Sequence, residues 1–281
     1  METVTRFAPS PTGRLHLGHA FSALFAEAAA LAAGGRFLLR IEDIDRGRCR
    51  PAFEDGIYED LAWLDLRWEK PVRRQSDHMA DYRQALDRLE ADGLLYPCFC
   101  TRKDLRAEAE GSVRAPHGPD GPLYPGICRG LAGAAAAERI AAGEAFALRL
   151  DMAQAAARVG PLTFTDRARG TIMVEPESCG DVVLARKDVA TSYHLAVTWD
   201  DALQGVTLVT RGEDLLHATH VHRVLQALFG LPEPEYHHHE LLTDDAGRRF
   251  AKRDRAETIQ AMRDGGGSAD AVRALAGYPA V

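Results

Sequence analysis

The first ninety residues alternate between apolar runs of two different periods. Val4, Phe7 and Ala8 belong to a strand-like run at 3–8, and an Ala- and Leu-rich helical pattern follows at 17–33. A second strand-like run, 36–41, ends at Glu42 and an acidic turn, Glu42-Asp43-Ile44-Asp45. Helical patterns near 51–65 and 77–93 come next. In the latter, Tyr82, Leu86 and Leu89 recur at three and four residues, and Gly93 ends it. Strand–helix–strand spacing of this kind predicts an α/β fold with a parallel sheet and right-handed crossovers.

After Tyr96-Pro97 the rhythm breaks. Residues 111–126 are rich in Gly and Pro, and short strand-like pieces fall at 145–150, 171–174 and 182–185. The alternation then returns, with strands expected at 193–198 and 206–210, a helix near 214–229 and a strand at 237–242. A basic loop, Gly247 to Arg253, and two short helices split by Gly265-Gly266-Gly267 complete the chain. The expected organisation is therefore a catalytic α/β unit in two halves, 1–95 and 191–245. A subdomain at 96–190 is inserted between them, and 246–281 carries the basic loop and the last helices.

At 281 residues the chain can bury a sizeable core. No apolar run approaches the roughly 18 residues that span a bilayer, and no membrane association is expected. The N-terminus has no secretory apolar region, so a cytoplasmic location is the default. Five cysteines argue against a disulfide framework. The net charge of -7 does not advertise a nucleic-acid binder, although a local basic surface remains compatible with it.

Candidate chemistry concentrates in PSPTGRLHLGH, residues 9–19, where a strand gives way through a Pro/Gly loop to a helix N-terminus. Unpaired backbone N–H groups and the helix dipole make such a junction a place to hold phosphate. Gly13 and Gly18 permit close backbone approach, and His16 and His19 add donors to the same mouth. More than two hundred residues later, the basic loop offers cations for the other end of a phosphate chain, with Lys252 the compact point charge among them. Cys98, Cys100 and Cys128 supply three of the four ligands of a tetrahedral zinc. Cys49 and Cys179 read as incidental. His237, His238 and His239 read as a strand, and His217, His220 and His222 as ordinary helix positions.

The chain resembles the class I aminoacyl-tRNA synthetases of the glutamyl type. PSPTGRLHLGH and RFAKR (249–253) look like their two signature motifs, and four further runs extend the likeness. These are Arg6 to Ser10, Arg40 to Asp45, Ser192 to Ala196 and Thr210 to Leu216. The second motif departs from the family pattern, with Arg249, Ala251 and Arg253 at positions usually held by Lys or Ser, while Lys252 is kept. The resemblance implies a Rossmann-type parallel sheet and activation of L-glutamate by ATP with Mg2+. His16, Gly18, His19 and Lys252 would stand at the nucleotide; His16, His19 and Lys252 would be its charge stabilisers. Glutamate would be held by Arg6, Ala8, Ser10, Glu42, Tyr193 and Arg211. Arg6 is the preferred partner of the side-chain carboxylate and Arg211 helps with the α-carboxylate; Glu42 accepts from the α-ammonium, and Ser10 and Tyr193 offer hydroxyls. Loss of one member of a buried charge pair costs about 2–5 kcal/mol, so glutamine should be rejected by roughly 30-fold or more. The likeness also assigns Tyr124 as the fourth ligand of one structural Zn2+, with His117 the rival for that place.

Full members of this family carry a large C-terminal domain that reads the anticodon, whereas this sequence ends about thirty residues after the second motif. Members with the catalytic core alone esterify glutamate to the queuosine base of tRNA(Asp), on a cyclopentene hydroxyl inside the anticodon loop. The resemblance thus implies tRNA(Asp) carrying queuosine as the second substrate, and a monomer is expected. A truncated enzyme charging the 3′ end of tRNA(Glu), or a silent tRNA- or amino-acid-binding paralogue, is the alternative.

Overall fold

The computed structural model describes residues 2–101, 103–104, 117–118, 121–131, 133–242 and 257–278. In the first half, β1 (Val4–Phe7) and β2 (Arg36–Ile41) pair in parallel across helix α1 (Leu17–Ala32). Helix α2 (Pro51–Trp63) leads to the short β3 (Arg73–Arg74), parallel to β2, and α3 (Met79–Ala91) follows. The second half starts with a helix at Tyr193–Leu203. Strand β11 (Leu208–Gly212) then pairs in parallel with β12 (Glu235–His239) across a helix at Ala218–Phe229.

The two halves meet edge to edge. Thr207 N–H donates to the Val4 carbonyl at 3.0 Å, and Val4 N–H donates to Thr207 Oγ1 at 2.8 Å. The first crossover leads from β1 outward to β2 and the second from β11 outward to β12. The chain therefore reverses direction between β1 and β11. In open α/β sheets, ligands bind at such a switch point, beyond the carboxyl ends of the strands.

Strand alternation sorts side chains into two cores, one on each face of the sheet. Val4 and Leu38 join the core that takes Tyr82, Leu86, Leu195, Trp199 and Leu225. Phe7, Phe37, Leu39 and Ile41 join the other, built on α1 and α2 with Ile259 and Val272. The same alternation puts Arg6 and Arg40 on the face that meets the helix at Tyr193–Leu203.

In the middle stretch, β4 (Leu95–Cys98), β7 (Ala147–Leu150) and β10 (Val183–Ala185) form an antiparallel sheet of their own. Between them lie the hairpin β5 (His117–Gly118) and β6 (Gly121–Pro122) and the helices α4 (Gly133–Ala141) and α5 (Met152–Val159). The hairpin of β8 (Thr163–Asp166) and β9 (Gly170–Met173) instead extends the sheet of β11 and β12, through the parallel pairing Tyr236↔Asp166. The helices at Tyr193–Leu203 and Ala218–Phe229 are α6 and α7.

One element corrects the sequence reading. The strand expected at 193–198 is the first half of α6. Ser192 caps it by accepting from Leu195 N–H, and Leu195, Ala196 and Trp199 enter the core at helical spacing. The β-branched and aromatic run Tyr193 to Thr198 suggested a strand, and tertiary packing overrode that preference. The expected strand at 206–210 lies two residues later, that at 237–242 starts two residues earlier and ends at His239, and the helix near 214–229 begins at Ala218 after a turn at Glu213–Leu215.

Helices α8 (Ile259–Asp264) and α9 (Ala269–Leu275) return the chain to the first signature run. Ile259 N–H donates to Leu15 O at 2.9 Å, and Thr258 bridges His16. Arg263 of α8 reaches Asp60 of α2 at 3.2 Å; Asp60 has no exposed surface and both its oxygens lack a hydrogen bond. Burial outweighs the nearby Arg263 and Arg14 charges and pushes the Asp60 carboxyl up to about 6. A carboxyl whose folded pKa is raised favours folding in its protonated form. Its stabilising effect is complete below the unfolded value of 3.8 and is lost as pH rises through about 6. Asp60→Asn should therefore raise Tm at pH 8 and flatten the fall in stability between pH 4 and 6, followed by thermal denaturation. An unchanged slope would refute the burial argument.

Candidate functional site

A cavity of about 540 Å³ opens at the switch point. Arg6, Ala8 and Ser10 reach it from β1 and the turn after it, Glu42 from the end of β2, and Arg211 from β11. His16, Gly18 and His19 enter from the start of α1, and Tyr193 from the first turn of α6. Nine residues expected at the nucleotide and glutamate sites thus line one space. Lys252 lies outside the described residues.

At the α1 end, His16 N–H donates to His19 Nδ1 at 3.2 Å, and the two rings lie 3.8 Å apart. No acidic residue occupies the first turn of α1, so no carboxylate there offsets the positive end of the helix dipole. A Cβ at Gly18 would stand 3.2 Å from Cε1 of His16, so a larger residue would push that ring aside by a few tenths of an ångström. Ser22 donates to Gly18 O and lies 3.2 Å from His239 Nε2, which brings one histidine of the 237–239 run to the cavity wall.

Behind the cavity floor sits a buried ion cluster. Asp201 of α6 accepts from Arg6 Nε at 2.9 Å and Arg6 Nη2 at 3.1 Å, and from Arg40 Nη1 at 2.8 Å. Arg6 is 4% exposed and Arg40 0%. Burial alone would raise the Asp201 carboxyl, but the two guanidinium groups outweigh it and hold it below the ordinary carboxylate range. Next to Asp201, Asp200 accepts from Arg73, Gln75 and the Tyr82 hydroxyl. Glu42 is bound by Arg40 Nη2 at 3.2 Å. Here burial prevails over the Arg40 and Arg6 charges and lifts the carboxyl above its usual value. An ammonium entering the cavity would offset that cost.

Arg211 is placed differently. It is 6% exposed, and among the described residues no carboxylate pairs with it. Its Nε donates to His238 Nε2 at 3.0 Å, its Nη1 to Tyr193 Oη at 3.2 Å and His222 Nδ1 at 3.1 Å, and its Nη2 to Thr219 Oγ1 at 2.7 Å. Every one of these partners is a neutral acceptor. A buried cation with hydrogen bonds but no counterion is a receptor for an anionic ligand group. Arg6, by contrast, already holds the Asp201 carboxylate. Asp201, His222 and His238 escaped the sequence reading. For Asp201 the one signal was helical spacing from Tyr193, which brings Asp200 and Asp201 to the end of α6; the two histidines offered none.

The cysteines form a second centre. The sulfurs of Cys98, Cys100 and Cys128 all lie within 4.8 Å of one another, with Cys100 Sγ and Cys128 Sγ at 3.6 Å, and this group could hold a metal ion. Tyr124 Oη stands 3.4 Å from Cys98 Sγ and 3.7 Å from Cys100 Sγ, and accepts from Cys128 N–H at 2.8 Å. Tetrahedral bonds of the lengths zinc makes to sulfur and oxygen have edges of about 3.5–3.8 Å, so the donor set fits. Burial leads the causes that push the Cys100 thiol up to about 11, whereas hydrogen bonding with Tyr124 and Arg149 overcomes burial at Cys98 and lowers it. The Arg149 guanidinium lies 3.8 Å over the Tyr124 ring. The side chain of His117 lies outside the described residues.

Residues 2–274 match the catalytic domain of the class I tRNA synthetases (E and Q), and the chain belongs to that family. Among proteins of known name, it is 52% identical over 282 residues to the glutamyl-Q tRNA(Asp) synthetase of Rhodobacter capsulatus, covering 98% of this chain and 99% of that one. It is 43% identical over 277 residues to the enzyme of the same name from Symbiobacterium thermophilum, covering 95% and 83%. A solved glutamate tRNA ligase from Elizabethkingia meningosepticum superposes with a TM-score of 0.80 at 26% identity. That match covers 98% of this chain and 60% of the ligase, so this chain spans about three fifths of the solved protein's length. Among the described residues, no helix is long and apolar enough to cross a membrane.

Removing Asp201 would leave Arg6 buried with no carboxylate among the described residues, and Arg40 with Glu42 and the more distant Asp200 alone. Asp201→Ala should lower the unfolding free energy by about 3–5 kcal/mol, read from urea denaturation. A loss under about 1 kcal/mol would mean that water or Glu42 replaces it.

Proposed function

We propose that the chain activates L-glutamate with ATP and transfers the glutamyl group to the queuosine base in the anticodon loop of tRNA(Asp). The observation that carries the glutamate half is Arg211, a buried cation without a carboxylate partner among the described residues, in the same cavity as the raised carboxyl of Glu42. In this reading Arg211 takes the side-chain carboxylate and Glu42 the α-ammonium, with Ser10 and Tyr193 supplying hydroxyls. Arg6, clamped by Asp201, keeps only its outer Nη hydrogens for the ligand. The α-carboxylate attacks the α-phosphorus of ATP, the bond to the bridging oxygen breaks, and pyrophosphate leaves as glutamyl-adenylate forms. His16, His19 and the start of α1 stabilise charge on the phosphates, Lys252 completes that set from the basic loop, and Mg2+ accompanies the nucleotide. A ring hydroxyl of queuosine then attacks the acyl carbon and AMP leaves.

The tRNA half rests on the 52% identical relative, which this chain matches along 99% of its length. A second reading, aminoacylation of tRNA(Glu), is kept alive by 40% identity to a glutamate–tRNA ligase of Acidithiobacillus ferrooxidans, of which this chain covers 57%. In this reading the enzyme works in the cytoplasm, where its tRNA substrate is found, as a monomer. In the cysteine centre, we assign Zn2+ as a structural ion held by Cys98, Cys100, Cys128 and Tyr124, tying the end of β4 to Tyr124 and Cys128.

Glutamate-dependent ATP–pyrophosphate exchange is expected without tRNA, with glutamine at least roughly 30-fold poorer. Labelled glutamate should be transferred to tRNA(Asp) containing queuosine and not to tRNA(Glu); the reverse outcome selects the second reading. Metal analysis of the purified chain should find one zinc per molecule. Tyr124→Phe should weaken its retention against a chelator by about tenfold, and Cys128→Ala should abolish it. Full retention by both variants would discard the assignment.

A further inference from the structure

Arg211 and Arg6 stand at the ends of adjacent strands, yet their surroundings have opposite character. Arg6 is given a carboxylate. Arg211 is given two imidazoles, a phenol and a threonine hydroxyl. A guanidinium can only donate, so both imidazole nitrogens that face it must accept, and this fixes the tautomers. His238 then carries its proton on Nδ1, which lies 2.7 Å from Asp166 Oδ2; the same carboxylate oxygen also accepts from His238 N–H at 3.0 Å. His222 carries its proton on Nε2, 3.2 Å from His194 Nδ1. Each ring is thereby locked from behind with its lone pair aimed at Arg211.

We infer that His222 and His238 are positioning residues that orient the Arg211 guanidinium while withholding a negative charge, so that the substrate's side-chain carboxylate is its counterion; the inference rests on the glutamate reading above. Asp166 and His194 set the two tautomers. An aspartate in place of either imidazole would orient Arg211 equally well and cancel its charge, and the cavity would lose its reason to prefer glutamate over glutamine. Burial, followed by the Arg211 charge, lowers both histidines, His238 to about 4 and His222 well below its ordinary value, which keeps them neutral at pH 7.

The test is a pair of nearly isosteric variants, one neutral and one charged. Asn and Asp both present an oxygen near the position of His222 Nδ1 and leave the same space behind it. By calorimetry, His222→Asn should retain most of the glutamate affinity. His222→Asp should bind glutamate at least about tenfold more weakly than His222→Asn, with glutamine binding and the KM for ATP alike in the two. A general loosening of the fold would shift both variants together. Equal glutamate affinity in the two would overturn the inference. Should the His222 pair fail to fold, His238→Gln and His238→Glu pose the same question at the other imidazole. Glutamate binding by the unaltered chain without pyrophosphate exchange would sink the proposed activity and leave this inference standing.

Discussion

The contact on which this architecture turns is Asp201 held between Arg6 and Arg40. It joins residues 195 and 161 positions apart in the chain, and it does so across the line where the two halves of the sheet abut. Strand alternation made it necessary. Once Phe7 and Leu39 face the α1 core, Arg6 and Arg40 must face the other, and two guanidinium groups inside an apolar core demand an anion. Helix α6 supplies it on consecutive residues, with Asp201 serving Arg6 and Arg40 while Asp200 serves Arg73, Gln75 and Tyr82. A stable switch point and a floor for the cavity follow from the same pairing.

Much of this was legible in the chain, for physical reasons that differ from place to place. Strands β1 and β2 announced themselves as short apolar runs, buried on both faces, and helices α1 to α3 by the period of the one face that each packs on a core. The residues drawn from contiguous motifs, His16, Gly18, His19, Glu42, Tyr193 and Arg211, converge because motif and fold were read together. Helix α6 was misread where its aromatic and β-branched start suggested a strand. That error hid Asp201, since an acidic residue past the end of a strand reads as a surface turn. His222 and His238 were passed over for a related reason. Imidazole on an amphipathic helix or strand carries no mark of what it faces, and only the third dimension brings both rings to Arg211.

The cavity divides into regions of opposite electrical character. At the α1 end, backbone N–H groups, a helix dipole and two histidines favour negative oxygens. At the β11 end, Arg211 favours another. Glu42 stands within the same walls, its carboxyl raised by burial, and favours a cation. A ligand with two anionic groups and one ammonium satisfies all three regions, and an amino acid with a carboxylate side chain, joined to a nucleotide phosphate, is such a ligand. Neutral or cationic amino acids leave at least one buried charge unanswered, which is a steep penalty in a space of this size.

Selectivity among such ligands then depends less on how many charges line the cavity than on which of them are already spent. Arg6 is tied to the protein's own carboxylate, and its charge serves the fold. Arg211 is oriented as firmly, by four hydrogen-bond acceptors, yet none of the four diminishes its charge. Rigid placement and electrostatic availability usually compete, because the strongest anchor for a guanidinium is a carboxylate. Anchoring through neutral rings resolves that competition, at the cost of burying two imidazoles whose own protonation must be suppressed. The carboxylate that fixes His238 is set one ring further back, where Asp166 holds a tautomer without lying against Arg211. In the proposed reading, that one-ring offset separates an arginine that builds the protein from an arginine left free to read a substrate.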